Sequence, residues 1–338
     1  MKSVGPLFHT RACSGFLETR SKINPHPAMK TFHLFFAIPL LSLAGSVLAG
    51  VEVAPGSAPA GVAHEGKSPV TSEDNNSLWL VSAETSYTTR SNFRDQRLGS
   101  GDSLYGDYSV DRRFPVTGKW YLRLGGEYER FDFGGSQNGL PNHLQALYAH
   151  LAFEYVVHDH AGAGVEIDPG FYYQNRISGD AFDIPWKIFV SFPLKKDKVF
   201  GVIGFGGRLY QDPVVAPGGG IIWLINDKLR LEGVVPKPAL VYNPGDHWEF
   251  RALAEIIYES FRTDDVPLFA SKIHLQNAVV QYSEYRGGGQ VSYSGFKPFE
   301  IIAGAGYSFD RLFDFYRAGA RERVGGGAYF KLGIGAKF

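Results

Sequence analysis

From Leu78 to the end of the chain, short segments repeat in which apolar and polar side chains alternate. The clearest is WEFRALAEIIYES, residues 248–260. Its even positions, from Trp248 to Tyr258, are apolar or aromatic, and its odd positions are mostly charged. A period of two places these two sets on opposite faces of a β-strand. The same pattern occurs in WYLRLGGEY (120–128), LYAHLAFEY (147–155), LRLEG (229–233) and FEIIAGAGY (299–307).

Alternation alone fits a soluble sandwich as well as a membrane barrel, and the aromatic residues favour the barrel. Trp120 and Tyr128 bracket one apolar face, and Trp248 and Tyr258 bracket another. Along tilted strands these separations span about 20–25 Å, the height of an outer-membrane apolar band between two aromatic girdles. We therefore assign girdle roles to Trp120, Tyr128, Trp248 and Tyr258.

Connection lengths support the same fold. Short connections are predicted at 115–119, 158–162, 194–198, 226–228, 243–246 and 294–298, and longer ones at 88–103, 134–143, 174–183, 211–218, 263–275 and 309–325. The exception is VVPKP (234–238), which is short where a long loop is due. The prediction is an all-β, transmembrane, antiparallel up-and-down β-barrel of about 14 strands. Twelve is the alternative, because RGGGQ interrupts the pattern within 276–293.

The first 77 residues lack this pattern. Residues 29–49 have a basic start, an apolar stretch and small residues ending at Ala49, which is typical of a secretory signal peptide cleaved after Ala49. Residues 1–28 do not fit a signal, so we expect translation to start at Met29, the alternative being an extended signal start. Residues 50–77 are predicted to be a disordered periplasmic linker before the barrel at 78–338.

Composition narrows the function. Lys plus Arg and Asp plus Glu are equal at 34 each, which argues against binding nucleic acid through a basic field. Cys13 is the single cysteine, so neither a disulfide framework nor a thiolate metal site is expected. The sequence predicts no metal, no cofactor and no enzymatic activity.

Charged residues opposite the apolar faces are the main candidates for function, because charges in a bilayer are costly unless they face the lumen. They predict a polar channel, or else an interior closed by ion pairs and loops. Acidic members outnumber basic ones, which favours weak cation preference. The lumen-lining candidates are Arg123, Glu127, His150, Glu154, Arg230, Glu232, Glu249, Arg251, Glu255, Glu259, Glu300 and Lys331.

Three other motifs are weaker. His158 and His160 belong to HDH in a predicted turn, where adjacent side chains point opposite ways and no third ligand can be placed, so we expect a solvated turn. Ser271 and His274 fall in a long outer loop, where a lipid hydrolase would place its catalytic groups, but no nucleophile motif surrounds them. The Gly-rich run at 200–207 precedes no helical pattern, so it is not a dinucleotide-binding motif. The GGG runs at 218–220 and 287–289 are predicted to mark bends or loops.

The chain ends in YFKLGIGAKF, with apolar residues at alternate positions and a terminal Phe338. This stretch resembles the C-terminal signature of Gram-negative outer-membrane β-barrel proteins. The resemblance implies outer-membrane lipids and the barrel assembly machinery as partners, and it assigns Phe330 and Phe338 to the membrane girdle and assembly signal. LRLEGVVPKPALVYNPGDHWEFRALAE with GAGYSFDR is similar to an uncharacterised, domain-of-unknown-function family of outer-membrane barrels. We expect a passive channel for small solutes; the alternatives are a closed structural or surface-interaction barrel and, less favoured, a lipid hydrolase. The sequence leaves the oligomeric state open.

Overall fold

The computed structural model describes residues 78–94, 99–134, 139–158, 161–268 and 273–338, apart from the side chains at 157 and 158. The predicted signal peptide and linker therefore lie outside the described residues. The strands are β1 (Leu78–Asn92), β2 (Ser100–Thr117), β3 (Trp120–Phe133), β4 (His143–His158), β5 (Ala161–Ile167), β6 (Gly170–Tyr173), β7 (Phe182–Asp183), β8 (Trp186–Lys195), β9 (Val199–Gly207), β10 (Val215–Leu224), β11 (Leu229–Val234), β12 (Ala239–Tyr242), β13 (Trp248–Arg262), β14 (Asp265–Leu268), β15 (Ile273–Gln276), β16 (Val279–Phe296), β17 (Phe299–Phe315), β18 (Ala320–Val324) and β19 (Gly327–Lys337).

Seventeen of these strands form one antiparallel sheet that closes on itself, because β1 pairs with both β2 and β19. Each complete crossing of the barrel wall is here called a stave. Three staves consist of two consecutive strands each: β5 and β6, β7 and β8, and β18 and β19. The result is a closed barrel of 14 staves, which confirms the predicted fold class and excludes the alternative of twelve. Strands β14 and β15 form a separate pair, here called the loop hairpin.

The first and last strands close the barrel in register. Residues 80–88 of β1 pair with residues 329–337 of β19. One step further, the Trp79 amide donates to the Phe338 carbonyl at 2.7 Å and the Phe338 amide donates back at 3.1 Å. The seam is thereby held by backbone pairing within the wall, as a lipid environment requires. The terminal Phe338 is thus part of the closure.

The uncertain stretch 276–293 is resolved by β16, which runs unbroken through Gly287, Gly288 and Gly289. The prediction that this run marks a bend or loop was wrong. A Cβ at Gly288 would lie 2.4 Å from the Ala305 carbonyl oxygen and 2.6 Å from the Tyr329 hydroxyl. Here glycine serves close approach between strands and room for an inward ring, not a turn.

The two ends of the barrel differ. At the end where the chain enters and leaves, named here the short-turn end, the connections span two to five residues, at the six predicted places. At the opposite end, named the loop end, β1, β2 and β17 run further than predicted, since pairing continues beyond the alternating segments. The VVPKP connection is short, as predicted, and its backbone bonds to the neighbouring strands β10 and β13.

The wall has an apolar outer surface and a polar inner one. Outward side chains such as Trp248, Phe250 and Leu332 are 48%, 45% and 67% exposed, whereas inward Tyr329 and Lys331 are 2% and 3% exposed. Such a continuous apolar surface belongs in lipid, and the barrel is of the transmembrane type. Among the described residues, no helix is both long enough and apolar enough to span a membrane.

One girdle assignment was wrong. Tyr258 shares the outward face of β13 with Trp248, but it is 1% exposed. Its hydroxyl donates to the Asp212 carbonyl at 3.1 Å, so the loop 208–214 covers it. Tyr258 therefore packs beneath a loop instead of facing lipid. Trp120, Trp248, Phe330 and Phe338 are exposed, and Tyr128 is half-buried.

Candidate functional site

The candidate site is the barrel lumen, which is filled with charged side chains. None of the twelve sequence-predicted lumen residues is exposed. Glu249, Arg251, Glu255 and Glu300 are half-buried. The rest are buried to between 3% and 9% relative exposure: Arg123, Glu127, His150, Glu154, Arg230, Glu232, Glu259 and Lys331.

Near the short-turn end, Arg123 on β3 is the centre of one ion-pair network. Its guanidinium lies 3.3 Å from Glu154 and 3.7 Å from Asp111, and it also contacts Glu166. Lys187 from β8 binds the same Glu166. A buried charge is tolerated only when paired and hydrogen-bonded, and these partners fulfil that condition.

His150, midway along β4, joins this network to a second group of acids. Its Nδ1 lies 3.0 Å from Asp111 and its Nε2 lies 3.1 Å from Glu127. Because both ring nitrogens face carboxylate oxygens, the ring donates two hydrogen bonds and carries a positive charge. His150 therefore acts here as a cation, and it is not available as a metal ligand through either nitrogen.

On the wall formed by β11, β12 and β13, two arginines and two glutamates from the outer two strands form a closed square. Arg230 lies 2.6 Å from Glu232 and 3.0 Å from Glu249, and Arg251 lies 3.0 Å from Glu232 and 2.5 Å from Glu249. Each of the four side chains has two neighbours of opposite charge. Such a network is worth more than isolated pairs, because each side chain is fixed by two partners.

Further along β13 from the square, Glu255 lies 3.7 Å from Lys331 of β19, which lies 2.6 Å from Glu84 of β1. Lys237, from the short VVPKP connection, lies 2.7 Å from the same Glu255. Closer to the loop end, Arg286 forms two hydrogen bonds to Glu284, at 2.8 and 2.9 Å. Charged pairs thus extend through most of the lumen.

Sequence reasoning missed several of these partners. Asp107 and Asp111 could have been found, because they alternate with outward Tyr108 and Val110 in β2 and so follow the period of two that marks inward residues. Arg208 gave no such signal, since it lies in the connection after β9, yet it binds Asp183 at 3.0 Å and also Glu259. Other charges outside the predicted set include the half-buried Arg113, Lys187 and Lys237 and the buried Glu129, Glu166, Asp168, Glu284, Arg286 and Arg311.

The loop end of the lumen has a different character, because aromatic side chains from several staves meet there. We call this group the aromatic plug. Phe131 of β3 lies 5.9 Å from Phe261 of β13 and 5.1 Å from Tyr282 of β16, centroid to centroid. The loop hairpin adds Val266 and Leu268, each 1% exposed, to the same cluster. The members are Phe131, Phe133, Tyr172, Phe261, Tyr282, Phe313 and Phe315.

Hydrogen bonds above the plug join opposite walls. The connection 174–181 lies between β6 and β7, and the connection 263–278 lies between β13 and β16. Asn175 donates to Asp264 at 2.9 Å, and Asn277 donates to Asp180 at 2.9 Å. Arg262 donates to the Asp180 carbonyl at 2.9 Å. Together with the plug, these bonds bridge the mouth of the barrel in this structure.

The outer-loop candidates fall partly outside the described residues. Ser271 and His160 lie there, and of His158 only the backbone is described. His274, on the exposed loop hairpin, places Nε2 2.5 Å from Asp265 Oδ1, so an acid does orient this histidine. Both side chains are more than half exposed. A histidine oriented by an acid is two parts of a nucleophile–base–acid arrangement, and the candidate nucleophile Ser271 lies outside the described residues.

Comparisons with known proteins found neither a matching family model nor a matching curated protein. The similarity to a domain-of-unknown-function family therefore remains a prediction. Three solved structures illustrate the structural similarity. An outer membrane channel from Pseudomonas putida F1 is 9% identical over 80% of this chain and 100% of its own, with a TM-score of 0.42. A Pseudomonas aeruginosa FadL homologue is 9% identical over 78% and 90%, with a TM-score of 0.41. LpxR from Salmonella typhimurium is 12% identical over 77% and 99%, with a TM-score of 0.34. At these values, the similarity assigns neither ligand nor activity to this chain.

Proposed function

We propose that this protein is an outer-membrane β-barrel that forms a gated passage for small polar solutes. Its outward apolar surface supports a place in the membrane, and its C-terminal strand resembles the signature that the barrel assembly machinery reads. The observation that carries the proposal is the lumen itself. Charged pairs line it from Arg123 to Arg286, and an aromatic plug closes it at the loop end.

A charged lumen is not the most stable way to fill a barrel. Buried ion pairs can often be replaced by apolar residues of similar volume without loss of stability. A lumen that only had to be solid would be served by apolar packing, which this chain uses in the plug. Charged walls below a removable apolar closure suit a path that is hydrated when the plug is displaced.

The plug makes this testable with a matched pair of substitutions on β13. Phe261 is 0% exposed within the plug, and Phe250 is 45% exposed on the lipid-facing side of the same strand. We expect Phe261→Ala to raise the conductance and open probability of the barrel in planar bilayers, and Phe250→Ala to leave both at the wild-type level. In the same bilayers, a salt gradient should give a reversal potential of weak cation preference, since acidic lumen residues outnumber basic ones.

A second candidate is a closed structural or surface-interaction barrel. It is favoured by the low exposure of the lumen residues, eight of which are at most 9% exposed. In that case, wild type and Phe261→Ala would both be silent in bilayers while remaining folded by heat-modifiable gel mobility. That result would reject the passage and support the structural role. Neither candidate includes a catalytic step.

A further inference from the structure

Among the described residues, one group of three lumen acids has a single basic partner between them, His150. Asp107 on β2 and Glu127 and Glu129 on β3 each offer one carboxylate oxygen to a set whose members lie within 4.8 Å of one another. We call this group the carboxylate triad. Asp107 and Glu129 are directly opposite each other in the pairing of β2 with β3. Like charges at such positions repel, so the arrangement is unstable without a compensating positive charge.

The surroundings of the triad supply little of that charge. In the part of the chain that the structure describes, neither Asp107 nor Glu129 forms an ion pair with a basic side chain. Glu127 has His150 at 3.1 Å. Glu129 is 8% exposed. Its Oε2 atom and the Oδ1 atom of Asp107 are both buried, and neither accepts a hydrogen bond from the described residues. A buried carboxylate oxygen without a donor calls for a further partner, and a bound cation is one that can fill this role.

The triad is also held in place. The Tyr148 hydroxyl lies 2.6 Å from Glu127 Oε1 and 2.9 Å from Glu129 Oε1, so one ring fixes two carboxylates. The Tyr105 hydroxyl lies 3.5 Å from Asp107 Oδ2. Outer groups that orient the ligating side chains are a regular feature of metal sites.

We propose that the carboxylate triad binds a calcium-class divalent cation. Ca²⁺ takes oxygen ligands at about 2.3–2.6 Å, so its ligands lie within about 5 Å of one another, as these oxygens do. Mg²⁺ usually retains several waters and takes one or two carboxylates, so it should bind more weakly. The neighbouring group His150, Glu166 and Asp168 is a poorer site, because Arg123 and Lys187 already neutralise Glu166.

The test uses the purified protein refolded into zwitterionic phosphocholine vesicles, which add no carboxylate or phosphomonoester sites. Terbium, an oxygen-seeking stand-in for calcium, should give tyrosine-sensitised emission through Tyr148 and Tyr105, and added Ca²⁺ should displace it. We expect Glu129→Gln and Asp107→Asn to weaken terbium binding at least tenfold. Glu232→Gln, which removes an acid that has two arginine partners, should leave terbium binding unchanged.

A stability measurement separates binding from a structural role. In chelator, Glu129→Gln should be at least as stable as wild type because it relieves repulsion, whereas Ca²⁺ should stabilise wild type and not the variant. The proposal is overturned if terbium emission is absent from wild type, or if it is equal in wild type and Glu129→Gln. Because the readout is binding, its failure would not affect the proposed passage, which is tested by conductance.

Discussion

Two arginine–carboxylate pairs in this barrel have the same spacing and different burial, which allows a sharp test of how dry the lumen is. Glu284 and Arg286 lie two residues apart on β16, with side chains 0% and 1% exposed. Arg130 and Asp132 lie two residues apart on β3, with side chains 39% and 41% exposed. Both arginines form more than one hydrogen bond to their acid. Burial is therefore the main variable.

The perturbation is Arg286→Met, with Arg130→Met as the matched control. Removing Arg286 leaves the buried Glu284 carboxylate with neutral neighbours such as the hydroxyls of Tyr282, at 2.8 Å, and Thr88, at 3.4 Å. Breaking a buried pair in this way costs about 3–5 kcal/mol of stability, whereas an exposed pair contributes about 0–1 kcal/mol. The double variant Glu284→Gln with Arg286→Met should recover much of the loss, because it removes the isolated charge.

The assay is reversible urea unfolding in lipid vesicles, followed by tryptophan fluorescence and checked by heat-modifiable gel mobility. We expect Arg286→Met to lower the free energy of unfolding by about 2–5 kcal/mol more than Arg130→Met does. Equal effects of the two variants would refute the reasoning. They would mean that water reaches Glu284 and that the lumen is hydrated up to the plug.

Two further predictions concern the wall. Gly288→Ala should destabilise by about 1–3 kcal/mol in the same unfolding assay, because its Cβ would clash with the Ala305 carbonyl, whereas Gly289→Ala, whose Cβ would have its nearest neighbour at 3.8 Å, should be close to neutral. Equal costs would show that the backbones can separate. Deleting Phe338 should reduce assembly into the outer membrane, measured as the heat-modifiable fraction in membranes, because the seam with Trp79 is lost. Normal assembly of the deleted chain would show that the terminal residue is dispensable.

The wall of this barrel was predictable because its signal is local. In β13, alternation from Trp248 to Ala254 distinguishes lipid-facing from inward positions, and the structure keeps that pattern. Nearer the loop end of β13, alternation no longer distinguishes the lipid-facing side from the inward side. From Ile257 to Phe261 every side chain is buried, since the plug covers one face and the loop 208–214 covers the other. Tyr258 was therefore misassigned and Phe261 was missed.

The lumen was predictable as a surface but not as a set of contacts. Period two places Arg123 and Glu127 on one face, but their partners Asp111 and His150 come from neighbouring strands. Which acid meets which base depends on the register between strands. A one-residue shift of a strand would move its inward side chains to the other face and so break all of its ion pairs. The carboxylate triad shows this well. Asp107 and Glu129 are 22 positions apart in the sequence and directly opposite in the sheet.

The plug also bears on how rarely such a passage would open. The loop hairpin contributes Val266 and Leu268, each buried to 1% exposure. Exposing one such side chain costs about 1.5–3 kcal/mol, so withdrawing the hairpin costs about 3–6 kcal/mol before any hydrogen bond is counted. Since about 1.4 kcal/mol is a factor of ten, the closed state would outweigh the open one by about two to four orders of magnitude. A gate of this kind opens through movement of a loop and leaves the hydrogen-bonded wall intact. Wild-type conductance should accordingly consist of brief, infrequent openings, and the aromatic plug, not the charged wall, should set their frequency.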